Sequence, residues 1–187
     1  MASRNGRRPL TSLVRGILGL FGGRSRPSAP AKSPRSRPTT TPTLSPGQGG
    51  QTATREVRPP ARGRLTITYA PQRDGAPDAG EIVWTWVPYE ENDGRGKDRP
   101  VLVIGHDGAD RVFAIRLTSK AHDGDRDYLS IGTGPWDSQG RPSWVDIEQL
   151  YSVHVRGMRR EAAALDRRRF AAVAAALHGR YGWLNEV

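Results

Sequence analysis

The 187 residues carry 29 Lys plus Arg against 19 Asp plus Glu, no cysteine, and an ordinary apolar share of 35%. That length holds one domain with an appendage or two very small domains, and the lack of cysteine excludes disulfides, thiolate metal sites and a cysteine nucleophile. The net charge of +10 suggests a nucleic-acid binder until it is split by position: residues 1–64 hold 13 basic residues and one acid, while residues 65–187 hold 16 basic residues and 18 acids, a balance of −2. The basicity therefore belongs to the N-terminal tail and says nothing about the rest.

In chain order, Leu10, Leu13, Val14, Ile17, Leu18 and Phe21 fall on one helical face. Residues 1–21 are therefore a candidate short amphipathic helix, and residues 9–21 leave a membrane-surface contact open. Arg15 interrupts the apolar run, which is too short to span a bilayer. Residues 22–63 are rich in Pro, Ser, Thr, Gly and Arg, and nine of the 15 prolines lie before residue 65. Such a composition buries too little apolar surface to offset its chain entropy, so it is expected to be a disordered linker. Order is expected from residue 64 to 187.

Leu65–Tyr69 alternates as a strand. Glu81–Val87 is the strongest strand signal, β-branched or aromatic after the Glu. Pro88–Asp98 reads as an eleven-residue charged loop. Pro100–Gly105 and Arg111–Leu117 are further strands, joined by a turn at His106-Asp107-Gly108. Tyr128–Ile131, Trp144–Ile147 and Leu150–Val155 complete the set. Glu161–Leu165 fits either a strand or an early helical turn. Asp166 is a plausible N-cap for a closing helix with Phe170, Val173, Ala174, Leu177 and Tyr181 at helical spacing, stopped by Gly179 or Gly182. Many short strands and one helix predict a mainly β protein, a small barrel with a packed C-terminal helix. Trp84 and Trp86 share one face by alternation and are expected in the core.

Metal and cofactor motifs fail. The histidines at 106, 122, 154 and 178 have no ligand spacing. Asp123-Gly-Asp125-Arg-Asp127 opens like a calcium loop, but Tyr128 stands where Gly belongs and Gly134 where the bidentate Glu belongs. Gly132-Thr-Gly134 lacks the third Gly of a dinucleotide fingerprint, and there is no Gly-x-Ser-x-Gly.

Four pieces in order carry a family resemblance: Gly80-Glu-Ile-Val-Trp84; Lys97-Asp-Arg-Pro-Val-Leu-Val-Ile104; Ile115-Arg-Leu-Thr-Ser-Lys120; and Ile147-Glu-Gln-Leu-Tyr-Ser-Val153. Together they resemble the PemK/MazF family of toxin endoribonucleases, from Gly80 to about Tyr181. Gly134–Trp144 and Trp84-Thr-Trp-Val-Pro-Tyr resemble a branch common in actinobacteria. The resemblance implies an SH3-like (CcdB/PemK-type) barrel, cytoplasmic and homodimeric, and the toxin of a type II toxin–antitoxin pair. Its activity would be metal-independent cleavage of single-stranded mRNA at short sequences. Its partners would be a cognate antitoxin and, with that antitoxin, operator DNA; no cofactor is implied. Arg99 and Thr118 map onto the family's catalytic pair. Ser119, Lys120, Glu148 and Gln149 map beside the substrate, with Glu148 where the family has Asp. The helix stripe of Phe170, Val173 and Leu177 is a candidate dimer surface, or else packs on its own barrel. Against these roles, Arg99 also fits a loop-edge ion pair with Asp98 or Glu90, and Thr118 a plain strand end. The alternative function is a non-catalytic barrel that binds nucleic acid or a protein.

Overall fold

The β-branched and aromatic runs become strands, and three of them, around Val101–Ile104, Trp144–Asp146 and Leu150–His154, are buried on both faces. The computed structural model describes residues 44–72, 76–91 and 93–187. In chain order these form β1 (Arg55–Val57), β2 (Thr66–Thr68), β3 (Glu81–Pro88), β4 (Gly96–His106), β5 (Arg111–Thr118), β6 (Tyr128–Gly132), β7 (Ser143–Asp146), β8 (Leu150–His154), β9 (Arg159–Ala164), α1 (Arg167–Tyr181) and β10 (Leu184–Glu186). The main sheet runs β1-β8-β5-β4-β3-β9, every neighbour antiparallel. It curls on itself, so the segment before β1 returns to β3. There the Trp86 N–H donates to the Pro46 carbonyl at 3.0 Å. The Thr85 hydroxyl donates to the Gly157 carbonyl at 2.7 Å, so the Thr54 hydroxyl, 2.6 Å away, is the donor to Thr85.

Side-chain alternation separates two apolar layers. Val83, Val87, Val101, Val103, Val112, Ala114, Tyr151 and Val153 pack together on one face. Ile82, Leu102, Ile104, Ile115 and Leu117 point the other way, to Phe170, Val173, Ala174 and Leu177 of α1. This double burial explains why Val101–Ile104 reads as a continuous apolar run. Asp166 caps α1 by accepting the Arg169 N–H at 3.0 Å, and Gly182, at φ 66°, ends it. The helix stripe is 0% exposed against its own sheet. It packs intramolecularly and is not a free dimer surface. Truncating Leu177 to Ala there costs about 2–5 kcal/mol.

Two local expectations change, and one open alternative is settled. Residues 44–63, expected within the disordered linker, are ordered here. β1 pairs with β8, and the Trp183 indole N–H donates to the Pro60 carbonyl at 2.9 Å. A segment with no core of its own is held by the unpaired edge of β8 and by β3. The helix expected over residues 1–21 and residues 22–43 of the linker lie outside the described residues. The loop after β3 is shorter than expected, because pairing continues through Val87↔Lys97 and Pro88↔Gly96. Gly96 has no side chain to meet the Trp86 indole, which a Cβ would approach to 2.5 Å. The undecided segment at 161–165 belongs largely to β9, which pairs with β3. Among the described residues no helix is long and apolar enough to cross a membrane.

Candidate active site

The site lies where two paired strands part. β4 and β5 pair from His106↔Val112 to Val101↔Arg116. Beyond that point β4 stays with β3, with Thr85↔Arg99 and Trp84↔Pro100. β5 instead passes to β7, with Leu117↔Val145 and Thr118↔Trp144. Pro100 sits at the divergence and has no N–H to leave unpaired there. The gap is a cavity of about 400 Å³, walled by residues 97–100 of β4, residues 117–120 at the end of β5, and the loop between β6 and β7.

Arg99 and Thr118 each lie two residues beyond the last β4–β5 pair, on the faces of Val101 and Arg116, and both line this cavity. Ser119 and Lys120 line it too, as do Lys97 and Trp84. The Thr118 hydroxyl accepts the Lys120 backbone N–H at 3.2 Å, which leaves its own hydrogen free to donate outward. Glu148 and Gln149 are not brought here. They follow β7 in a tight turn, where Asp146 accepts both of their backbone N–H groups at 2.9 and 3.3 Å. The Glu148 side chain faces Arg180 at 3.7 Å, and Gln149 accepts from the Tyr151 hydroxyl at 2.9 Å.

The ion pairs decide how Arg99 reads. Asp98 is held by Arg159 at 2.6 Å, and Glu90 is nearest Arg116 at 3.4 Å. Both carboxylates that would have paired with Arg99 are engaged elsewhere, and among the described residues the half-buried Arg99 guanidinium has no ion pair or hydrogen bond. Lys97 and Lys120 are likewise unpaired and exposed. Three cations without partners among the described residues thus face one cavity. The acids on its wall, Asp98 and Asp137, are bound to Arg159 and Arg141.

Arg116, next to the site along β5, is structural. Burial opposes its charge, but its contact with the buried Asp146 at 2.7 Å outweighs this and holds its pKa above the ordinary value. The neighbouring Tyr128 hydroxyl is pushed up, first by burial and then by Asp146. Trp84 is half-buried rather than in the core: its ring lines the cavity, and the Arg159 guanidinium lies 5.9 Å from its centroid. Trp86 is half-buried as well; the buried tryptophans are Trp136, Trp144 and Trp183. Among the described residues no cluster of three His, Cys, Asp or Glu side chains is placed to hold a metal.

Residues 78–179 match the model of the PemK-like, MazF-like toxins of type II toxin–antitoxin systems. The chain belongs to this family. PemK-like toxins are endoribonucleases, and this chain is the toxin of such a pair. The matched span runs from just before β3 to near the end of α1; β1, β2 and β10 lie outside it. Among solved structures, the MazE–MazF complex of Deinococcus radiodurans is similar at 22% identity, over 57% of this chain and 96% of that chain, with a TM-score of 0.44. An endoribonuclease in complex with its cognate antitoxin, from a mycobacterial species, is similar at 16% identity over the same shares, also at 0.44. The chain matches no protein of curated function.

The sequence reading missed the second wall of the cavity, formed by Trp136, Asp137, Ser138, Arg141 and Ser143. Its signal was present in Gly134-Pro-Trp-Asp-Ser-Gln-Gly-Arg-Pro-Ser-Trp144, where two tryptophans in eleven residues stand out in a chain that is 7% aromatic.

Proposed function

We propose that this cavity cleaves single-stranded RNA, with Arg99 and Thr118 acting on the scissile phosphate. The observation that carries the reading is the unpaired Arg99 guanidinium facing the same cavity as the Thr118 hydroxyl. In the reaction the 2′-oxygen bonds to the adjacent phosphorus and the bond from phosphorus to the 5′-oxygen breaks. One proton leaves the 2′-hydroxyl and one joins the 5′-oxygen. The products are a 2′,3′-cyclic phosphate and a 5′-hydroxyl. The phosphorane carries one more negative charge than the phosphodiester. Arg99 meets that charge with two parallel N–H donors, and such a preorganised donor lowers the barrier by roughly 3 kcal/mol. Thr118 donates its free hydrogen to a phosphate oxygen. Lys97 and Lys120 add charge that draws the backbone in.

The same reading includes action in the cytoplasm, no metal requirement, and inhibition by a cognate antitoxin. It also includes a homodimer and, with the antitoxin, binding to operator DNA. The dimer uses a surface other than the covered α1 stripe, and sedimentation of the full chain at micromolar concentration tests it. The central experiment is cleavage of single-stranded RNA by the full chain with chelator present, reading 5′-hydroxyl ends. An absolute need for magnesium, or an Arg99→Ala chain that cuts at the parent rate, overturns the reading and moves the weight to a binding module.

A further inference from the structure

The cavity's two walls differ in their electrostatics. On the β4–β5 wall the cations of Lys97, Arg99 and Lys120 have no carboxylate partner among the described residues. On the loop wall Arg141 is matched by Asp137, whose Oδ2 lies 3.0 Å from the Arg141 Nε and 2.9 Å from an Nη. That contact holds the Asp137 carboxyl below the usual carboxylate range. The pair is 53% exposed on the Arg141 side, so it contributes little to stability. Its effect is orientation.

The loop is built to hold that orientation. Trp136 is 3% exposed, and its indole N–H donates to the Ser143 hydroxyl at 3.1 Å. Its ring covers Gly134 so closely that a Cβ there would come within 2.1 Å. Asp137 also accepts the Gln139 N–H at 2.8 Å, and its carbonyl accepts the Gly140 N–H at 2.9 Å. A carboxylate this close disfavours a phosphate at Arg141. The guanidinium edge turned away from Asp137 still offers two N–H donors with little net charge. Arginine in that state suits a nucleobase edge with two adjacent acceptors. Among the RNA bases, the O6/N7 edge of guanine and the O2/N3 edge of cytosine have this pattern.

We infer that Arg141, positioned by Asp137 on the Trp136-anchored loop, reads a nucleobase beside the scissile phosphate and sets the sequence at which the chain cuts. The inference rests on the cleavage reading above and assigns the loop wall its substrate group.

The test uses the full chain and a single-stranded RNA pool randomised around the cut, with 5′-hydroxyl ends sequenced. Binding is measured against salt on an RNA whose 2′-hydroxyl is removed at the cut. The parent prefers guanine or cytosine at one position. Arg141→Ala lowers that preference by about tenfold or more and leaves the salt slope unchanged. Arg141→Lys fails alike, because it keeps the charge and loses the fork. Asp137→Asn moves the preference the same way. Lys120→Ala, by contrast, weakens all sequences evenly and flattens the salt slope by about one. Arg141→Ala with the parent's cutting pattern overturns the inference and leaves the cleavage reading standing. So does an Arg141→Ala chain that loses all sequences evenly with a flatter slope, which marks a phosphate contact. A parent that cuts no RNA overturns both.

Discussion

Replacing Arg99 separates catalysis from stability, because of what the side chain does not touch. Removing an arginine from an ion pair leaves a carboxylate behind, and for a buried pair that costs about 3–5 kcal/mol. Arg99 has no such partner: Asp98 remains bound to Arg159, and Glu90 remains near Arg116. Arg99→Ala therefore changes stability by only about 0.5 kcal/mol, the usual scale for a side chain outside the packed core. The phosphorane loses its bidentate donor, worth roughly 2.7–4 kcal/mol, so single-turnover cleavage slows about 10²–10³-fold. Arg99→Lys fares nearly as badly, since an ammonium cannot donate in a parallel fork. Thr118→Ser keeps most of the activity and Thr118→Val loses it. Single-turnover kinetics on a fluorescent RNA, paired with urea unfolding of the same preparations, measures both quantities. Arg99→Ala cutting within a few-fold of the parent, or unfolding several kcal/mol sooner, refutes the reasoning.

Asp146→Ala should behave in the opposite way, losing about 3–5 kcal/mol in urea unfolding. Asp146 is 2% exposed, and its loss strands the half-buried Arg116 and two backbone donors of the next turn. Thr85→Val should cost about 1–3 kcal/mol in the same assay by stripping partners from Thr54 and the Gly157 carbonyl. Glu56 is exposed on the edge strand β1, yet its pKa is raised, first by partial loss of hydration and then by Glu90. The folded state therefore holds its proton more tightly, and stability falls as pH rises from the ordinary carboxylate value through the raised one. Glu56→Gln should raise the melting temperature at pH 7 and have little such effect at pH 3.5. Hydrogen exchange should find the β1 and Trp86 amides protected, because they bond to β8 and Pro46.

Where the sequence was legible, one local pattern was enough. The β-branched runs of β3, β4 and β5 marked themselves, and Asp166 and Gly182 bracketed α1 through capping chemistry alone. The order of residues 44–63 was illegible because it depends on partners far along the chain. Composition measures what a segment can bury by itself, whereas β1 draws its hydrogen bonds from β8, 93 to 97 residues later. The site split in the same way. Arg99 and Thr118 were singled out by the family resemblance of the segments that carry them; their strand contexts alone fitted a loop-edge ion pair and a plain strand end equally well. Trp84 was misplaced because alternation gives the face of a residue and not what covers that face. The loop wall at 134–143 was missed because its contribution depends on the long-range parting of β4 from β5.

The charge of the barrel region illustrates why a sum is a poor guide to the field inside one cavity. Residues 65–187 total −2, which by itself argues against a polyanionic substrate. Several of those acids, however, sit in ion pairs that do not line the open cavity: Glu81 with Arg160, Asp127 with Arg180, and Asp166 with Arg169, while Asp146, beside it, is buried against Arg116. A paired charge projects little field beyond its partner, and screening removes most of the remainder within about 8–10 Å in physiological salt. Lys97, Arg99 and Lys120 have no carboxylate partner among the described residues, and they share one concavity. The field a phosphate meets is set by these three residues, so a region with net negative charge presents a positive site where β4 and β5 part. If that local field draws RNA in, charge reversal at a distant paired acid and at the cavity should differ sharply. Asp127→Lys should leave RNA affinity within about twofold at physiological salt. Lys97→Glu should weaken it several-fold and flatten its salt dependence. Equal effects of the two would mean that net charge, not the cavity, governs binding.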